Sequence, residues 1–222
     1  QVNGSNQYNS GLSMTSSKAT KIAKDNVSIA LNAYPSEFTQ NQGWNLIGNP
    51  YPCYFDTRYM DFSSPITVWN MRNKTYSAYS PQDDAYILSP GEAFFVQCSG
   101  NNQSISFSKE GRQTNKVVRT VNQSRAMAAN PIERKIINLV LSDGKQTDRT
   151  RIVLNEKASY AYELDKDAAK FISNEAAQVY TIDHGVQYAI NERPEGNGVI
   201  SLGAHFCADG EYTLSLSDDV NS

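Results

Sequence analysis

The chain has 222 residues, of which 39% are hydrophobic and 19% charged, and its formal net charge is −3. This length is sufficient for one large or two smaller domains that bury a core without disulfides or metals. The negative charge and the lack of a basic stripe interleaved with aromatic residues argue against nucleic acid as a partner. No apolar run approaches the ~20 residues that cross a bilayer, so we expect no membrane-spanning segment.

Short alternating apolar runs, separated by Asn, Asp, Pro and Gly, fill the stretch from Gly43 to Phe107. This pattern is typical of antiparallel strands joined by turns. Many short strands in sequence predict a sandwich or barrel, so we expect a β-sandwich or jelly-roll-like module over residues 1–125, with an irregular start over roughly the first 25 residues. Its predicted strands lie at 27–33, 44–48, 66–70, 75–79, 85–88, 93–98 and 104–108.

A polar, small-residue stretch that ends in proline marks a predicted domain boundary near residues 124–132. After it, a Ser142-Asp143-Gly144 turn between apolar runs predicts a β-hairpin. We expect an Ig-like sandwich over residues 132–222, truncated because the chain ends just after a strand-like run. Its predicted strands lie at 135–141, 150–154, 179–182, 187–190, 199–204 and 211–216.

One short helix is predicted inside this second module, from Asp165 to Ile172. Asp165 can cap its N-terminus, while Ala168, Phe171 and Ile172 form an apolar face. The predicted fold class is therefore all-β, with two antiparallel β-sandwich domains, the second of them Ig-like with one short helix.

Few residues of the chain are candidates for catalysis or metal binding. The chain has two histidines but no G-x-S-x-G motif for a serine nucleophile, and its three cysteines lack the spacing of a zinc site. We therefore predict no catalytic residue, no metal site and no cofactor. Cys53 and Cys98 could pair in an oxidising compartment, but their apolar, strand-like surroundings favour free thiols.

Aromatic residues are the remaining candidates for binding, because sugar sites stack exposed rings on pyranose C–H groups. Trp44 shares its strand face with Leu46 and is expected in the core, whereas the strand companions of Trp69 are more polar. Tyr76 and Tyr79 must face opposite sides of one strand. The turn after them carries two adjacent carboxylates, with calcium binding as an alternative to a plain hairpin turn. The candidate ligand residues are Trp69, Tyr76, Tyr79, Asp83 and Asp84.

Several segments resemble a known family. These segments are GWNLIGNPYPCYFD, ITVWN, YSPQDDAYILSPGEAFFVQ, SFSKEGRQ, DRTRIVLNEKASYAYELDKDAAKF and YAINERP. Together, over roughly residues 26–216, they are similar to paired β modules near the C-termini of large secreted or surface proteins of Gram-negative gut and oral bacteria. The resemblance implies extracellular location and architecture, and it implies no activity and no catalytic residues.

The expected function is a non-catalytic accessory or structural module of a secreted or cell-surface multidomain protein, with other domains of the same polypeptide as its partners. The alternative is a carbohydrate-binding module that presents the exposed aromatics of the first domain to glycans. A third hypothesis, that the protein is an enzyme, requires a cleft between the two sandwiches that is lined by acidic residues from both halves. Candidate acids for such a cleft are Asp56, Asp61, Glu92 and Glu163.

Overall fold

A computed structural model describes residues 23–81, 83–118, 134–196 and 198–217, and in them the protein is all-β, as predicted. We call residues 23–118 the N-terminal half and residues 134–217 the C-terminal half. The strands of the N-terminal half are β1 (Val27–Ala30), β2 (Trp44–Gly48), β3 (Tyr54–Asp56), β4 (Met60–Asp61), β5 (Ile66–Asn70), β6 (Thr75–Tyr79), β7 (Ile87–Leu88), β8 (Ala93–Gln97), β9 (Ser104–Phe107) and β10 (Arg112–Gln113).

The described residues of the C-terminal half add seven strands. They are β11 (Lys135–Ser142), β12 (Thr147–Leu154), β13 (Ala168–Ala169), β14 (Gln178–Asp183), β15 (Val186–Arg193), β16 (Ser201–His205) and β17 (Thr213–Ser217). In the part of the chain that the structure describes, three one-turn 3-10 helices, all in the N-terminal half, cover Thr39–Asn41, Thr57–Tyr59 and Lys109–Gly111. The predicted domain boundary at 124–132 lies outside the described residues.

The N-terminal half consists of three antiparallel sheets around one core. Their strand orders are β1-β9-β4, β10-β3-β7 and β2-β8-β5-β6. The alternation read from the sequence determines which side chains enter the core. In β2, Ile47 is buried in it, while Leu46 lies on the opposite face and is 63% exposed. Phe55, Phe94 and Phe107 are fully buried at the centre.

The described strands of the C-terminal half belong to one sheet with the order β16-β14-β15-β12-β11-β17, and β13 pairs with β15. Strands β12 and β15 are parallel, while the other pairs are antiparallel. The predicted hairpin at Ser142-Asp143-Gly144 is present between β11 and β12. An immunoglobulin fold divides its strands between two sheets, so the Ig-like arrangement is not confirmed.

The predicted helix from Asp165 to Ile172 is wrong. Asp167 accepts hydrogen bonds from the backbone N–H groups of Glu163 and Glu192, and this holds the segment in a turn against β15. Ala168 and Ala169 then form β13 instead of a helical face. The apolar spacing that suggested a helix reflects two separate contacts, one with the sheet and one with the N-terminal half.

The two halves meet on the outer face of the sheet β2-β8-β5-β6. Ala78 of β6 is packed in one apolar cluster with Val153, Ala168, Ala189 and Ile190 of the C-terminal half. At the same face, the Tyr162 hydroxyl donates to Gln97 Oε1 over 2.6 Å. The strand face that the N-terminal core does not use therefore forms the interface between the halves. Among the described residues, no helix is long and apolar enough to cross a membrane.

Candidate functional site

The acidic turn after β6 lies at the interface between the halves. The backbone N–H groups of Asp83 and Asp84 both donate to the carbonyl of Ser80, at 3.0 and 2.7 Å. In return, the N–H of Ser80 donates to Asp84 Oδ2 over 2.9 Å. This local exchange aims both carboxylates towards the C-terminal half.

Asp84 is bound by arginines from β12. Arg151, which is fully buried, donates Nη1 and Nη2 to the two carboxylate oxygens of Asp84 at 2.7 Å each. Its Nε donates to Asn138 Oδ1 over 3.0 Å. Arg149 reaches the same carboxylate through only one contact, of 3.5 Å. A bidentate pair in this geometry is a strong, directional link between the halves.

Asp83 belongs to a second ionic group beside the first. Arg134 donates to both oxygens of Asp83, at 2.7 and 3.1 Å, and to Glu192 Oε2 at 2.6 Å. The other oxygen of Glu192 accepts from Asn155 over 2.6 Å. All four carboxylate oxygens of Asp83 and Asp84 thus have guanidinium donors.

Trp69 and Tyr76 face each other on the outer face of the sheet. They are directly paired across β5 and β6, with ring centroids 4.9 Å apart and ring planes at 61°. The Trp69 Nε1 donates to the Met71 sulfur over 3.0 Å. Both rings are half-buried, and they meet edge to face instead of forming one flat surface.

Tyr79 lies apart from these two rings, because it has the opposite orientation on β6, as predicted. Its ring packs against Tyr86 with the centroids 4.4 Å apart and the planes tilted by 33°, and the Arg149 guanidinium lies 5.5 Å from its centroid. Burial raises the pKa of the Tyr79 hydroxyl, and the positive charge of Arg149 partly opposes that rise. The five candidate ligand residues therefore lie in three places instead of one.

A shallow surface extends from Trp69 across the outer face of the sheet. Gly48 and Ala93 are paired and exposed beside it, and no atom lies within 4 Å of the position that a Cβ of Gly48 would take. Leu46, 63% exposed, pairs with Phe95 in the next row. Small side chains next to a half-exposed indole leave room for a flat ligand.

Phe171, which was predicted on a helix face, lies instead at the interface between the halves. Its ring lies 4.8 Å from Trp44, 5.4 Å from Tyr76 and 5.4 Å from Phe95. Trp44 is consequently half-buried at the interface instead of in the core, and its Nε1 donates to the Gln40 carbonyl. No sequence pattern points to Phe171, because its partners are more than 70 residues away in the chain.

A cavity of about 150 Å³ lies between the edge of β6 and the C-terminal half. Arg149 and Asp148 are its charged lining residues. Asp148 is buried and bonded to Lys170 Nζ at 2.5 Å and to the Val179 N–H at 2.8 Å. Burial raises the pKa of Asp148 and lowers that of Lys170, and the ion pair opposes both shifts. The remaining lining residues are Asn70, Asn73, Ser77, Ala78, Tyr79, Val140, Thr147 and Ser217.

Of the four acids suggested for a cleft, three are engaged within their own half. Asp56 pairs with Arg58, and Glu163 accepts from Lys166. Glu92 accepts from the Tyr86 hydroxyl over 2.5 Å and from the Ser89 N–H over 2.6 Å. Asp61, the fourth, is exposed on β4.

The three cysteines are free, which agrees with the favoured interpretation of the sequence. Cys98 is buried and Cys53 half-buried, while Cys207 is exposed. Burial raises the pKa of the Cys98 thiol. A thiol in these surroundings packs as a small apolar group.

Comparisons of the chain with protein-family models, with curated proteins and with solved structures find no match in any of the three.

Proposed function

We propose that this protein is a non-catalytic accessory module of a secreted or cell-surface multidomain protein, in which two β units hold a fixed relative orientation. The observation that carries the proposal is the Asp84–Arg151 pair, which joins the halves and is buried at both ends. Most of the charged groups that converge between the halves form ion pairs with one another. Such an arrangement stabilises one geometry of the interface.

The extracellular part of the proposal rests on composition and on the family resemblance. Charged residues make up 19% of the chain, below the ~25% of average soluble domains, and its polar character comes from Asn, Gln, Ser and Thr. We propose other domains of a larger polypeptide as the partners of this module.

The test of location is protease treatment of intact producing cells, followed by detection with an antibody against the chain. We expect the protein either in the medium or on intact cells, where the protease removes the antibody signal before lysis. Recovery only after lysis contradicts the extracellular role.

The test of the non-catalytic role is a screen against polysaccharide and peptide substrates with the wild type and with Asp61→Ala and Glu163→Ala. We expect no turnover above background in any of the three proteins. Turnover by the wild type that falls at least about tenfold in either variant, with the fold retained, supports an enzyme instead.

A second candidate function is glycan binding at the surface beside Trp69. It is favoured by the half-exposed indole next to the open positions of Gly48 and Ala93. The edge-to-face contact with Tyr76 holds the Trp69 ring in place, which reduces the entropy lost when a sugar stacks on it.

A glycan array, followed by calorimetry on the hits, tests this second candidate with Trp69→Ala and a matched control. Phe206 is a suitable control, because it is an aromatic residue that is 51% exposed on the C-terminal half. Glycan binding that is lost in Trp69→Ala and kept in Phe206→Ala supports the candidate. Absence of binding by the wild type, or equal binding by both variants, rejects it.

A further inference from the structure

Two guanidinium groups in the interface share one carboxylate. Arg151 takes both short bonds to Asp84, at 2.7 Å each, and Arg149 is left with a single contact of 3.5 Å. An arginine pairs best with a carboxylate through two parallel bonds of about 2.8 Å. Arg149 is therefore the less well compensated of the two cations.

Arg149 also retains unused hydrogen-bond donors. A guanidinium has five N–H groups. Within the described parts of the chain, Arg149 donates one bond of 2.9 Å to the Ala78 carbonyl and the long one to Asp84. Its side chain is 23% exposed, so solvent reaches it.

The other charged group of the cavity does not oppose an anion. Asp148 is neutralised by Lys170, and both side chains are at most 1% exposed. The net charge that the cavity presents is therefore the positive charge of Arg149. The rest of its wall is mainly neutral and polar, with amides from Asn70 and Asn73.

We propose that this cavity binds the carboxylate group of a small polar molecule, such as a sugar acid, and that Arg149 anchors it. The cavity volume of about 150 Å³ is well above the ~10–15 Å³ that admits one water, so the cavity has room for a carboxylate with a few attached atoms. The Tyr79 ring provides an apolar wall, and the amide of Asn73, which already donates to the Thr147 hydroxyl over 3.2 Å, provides a polar one.

The experiment is an NMR titration of the full chain with sodium D-glucuronate, sodium acetate and D-glucose. We expect saturable shifts at the Arg149 side chain with glucuronate, weaker ones with acetate and none with glucose. Equal affinity for acetate and glucuronate assigns recognition to the carboxylate alone, which also supports the site. The proposal goes beyond the accessory role, and its failure leaves the location and turnover tests above unaffected.

Two variants, each of which loses one positive charge, make the test more specific. Arg149→Gln removes the cation but leaves the Asp84–Arg151 pair in place, so the fold should persist. We expect it to weaken glucuronate binding by at least about tenfold. Arg72→Gln, on the exposed turn between β5 and β6, should leave the affinity unchanged.

Three results overturn the proposal. One is the absence of saturable shifts at Arg149 in the wild type, a readout that needs no variant. Another is unchanged glucuronate affinity in Arg149→Gln. The third is binding that is abolished by Trp69→Ala but kept in Arg149→Gln, because that result places the ligand on the surface beside Trp69.

Discussion

At the scale of single residues, Asp167 is a buried acid whose surroundings both oppose and favour its charged form. Its carboxylate is 2% exposed and accepts two backbone N–H bonds, and in the described chain no cation is bonded to it. Burial raises the pKa of Asp167 to about 7, and the nearby Glu163 and Glu192 carboxylates add to the rise. The two N–H bonds act in the opposite direction, because they favour the charged form.

The titration of the Asp167 carboxyl should appear in the pH dependence of the free energy of unfolding. The folded-state pKa lies above the unfolded value of about 3.9, so the folded protein binds more protons between pH 4 and 7. The contribution of Asp167 to the free energy of unfolding is therefore largest below pH 4 and falls by about 4 kcal/mol as pH rises to 7. Carbon-13 NMR of the carboxyl should give a midpoint near 7. A midpoint below 5 contradicts the prediction.

At the scale of elements, Gly43 lies immediately before β2, in a backbone position that only glycine tolerates. Its φ is +68°, and a Cβ there would collide with the backbone carbonyl of Cys98. The close approach allows the Gly43 carbonyl to accept the Cys98 N–H over 2.9 Å. This hydrogen bond extends the β2–β8 ladder by one pair beyond Trp44 and Gln97.

Gly43→Ala should destabilise the protein by about 3 kcal/mol or more, because backbone strain and a collision add together. Gly91→Ala is a matched control, with φ of +73° and open space where its Cβ would lie. It should cost only about 1 kcal/mol. Urea denaturation measures both, and equal losses in the two variants would show that the collision is relieved without cost.

Strand β17 is an edge strand without the residues that usually prevent an edge from pairing with another chain. Its sequence has no charge and no proline, and Leu214 and Leu216 are 50% and 72% exposed on the same face. Leu216→Lys should lower concentration-dependent light scattering while changing the free energy of unfolding by less than about 0.5 kcal/mol. Lys substitution at Ser215, which faces the other way, is the control. Equal scattering by Leu216→Lys and the wild type contradicts the prediction.

Five-residue strands were predicted well from the sequence, and shorter strands were not. The bounds of β2, β5 and β6 match the prediction, because each is a run of five residues, rich in aromatic, aliphatic and β-branched side chains, between turn formers. Strands β3, β4, β10 and β13 are two or three residues long, which is too short for any periodicity. The prediction of a helix at 165–172 is wrong because the turn is held in part by the bond from the distant Glu192 N–H to Asp167, which leaves no local pattern.

At the scale of the whole molecule, the interface was invisible in the sequence. Tyr76 and Tyr79 were correctly predicted on opposite faces of β6, but the part of the C-terminal half that covers the Tyr76 face was not predicted. Asp83 and Asp84 were recognised as a turn, whereas their arginines come from beyond residue 133. Pairing across such separations leaves no local pattern, so the site residues could be named but not grouped.

Asp84→Asn should lower the free energy of unfolding by about 3–5 kcal/mol, because it leaves Arg151 buried without its counter-charge. Asp61→Asn, at an exposed acid of the same half, should change it by less than about 0.5 kcal/mol. Urea denaturation followed by circular dichroism measures both. The double variant Asp84→Leu/Arg151→Met should recover most of the loss, since it removes both charges. A loss below about 1 kcal/mol in Asp84→Asn would show that the pair contributes little.

The buried Asp84–Arg151 pair also constrains how this protein can evolve. A recombination event that replaces one half by a copy with a different residue at position 84 or 151 would leave an unpaired charge buried in the interface. Selection would remove such a recombinant. The halves should therefore be inherited as a unit, and positions 84 and 151 should covary among descendants. Between homologues that differ at positions 84 and 151, gene shuffling should recover folded chimaeras mainly when both positions come from one parent.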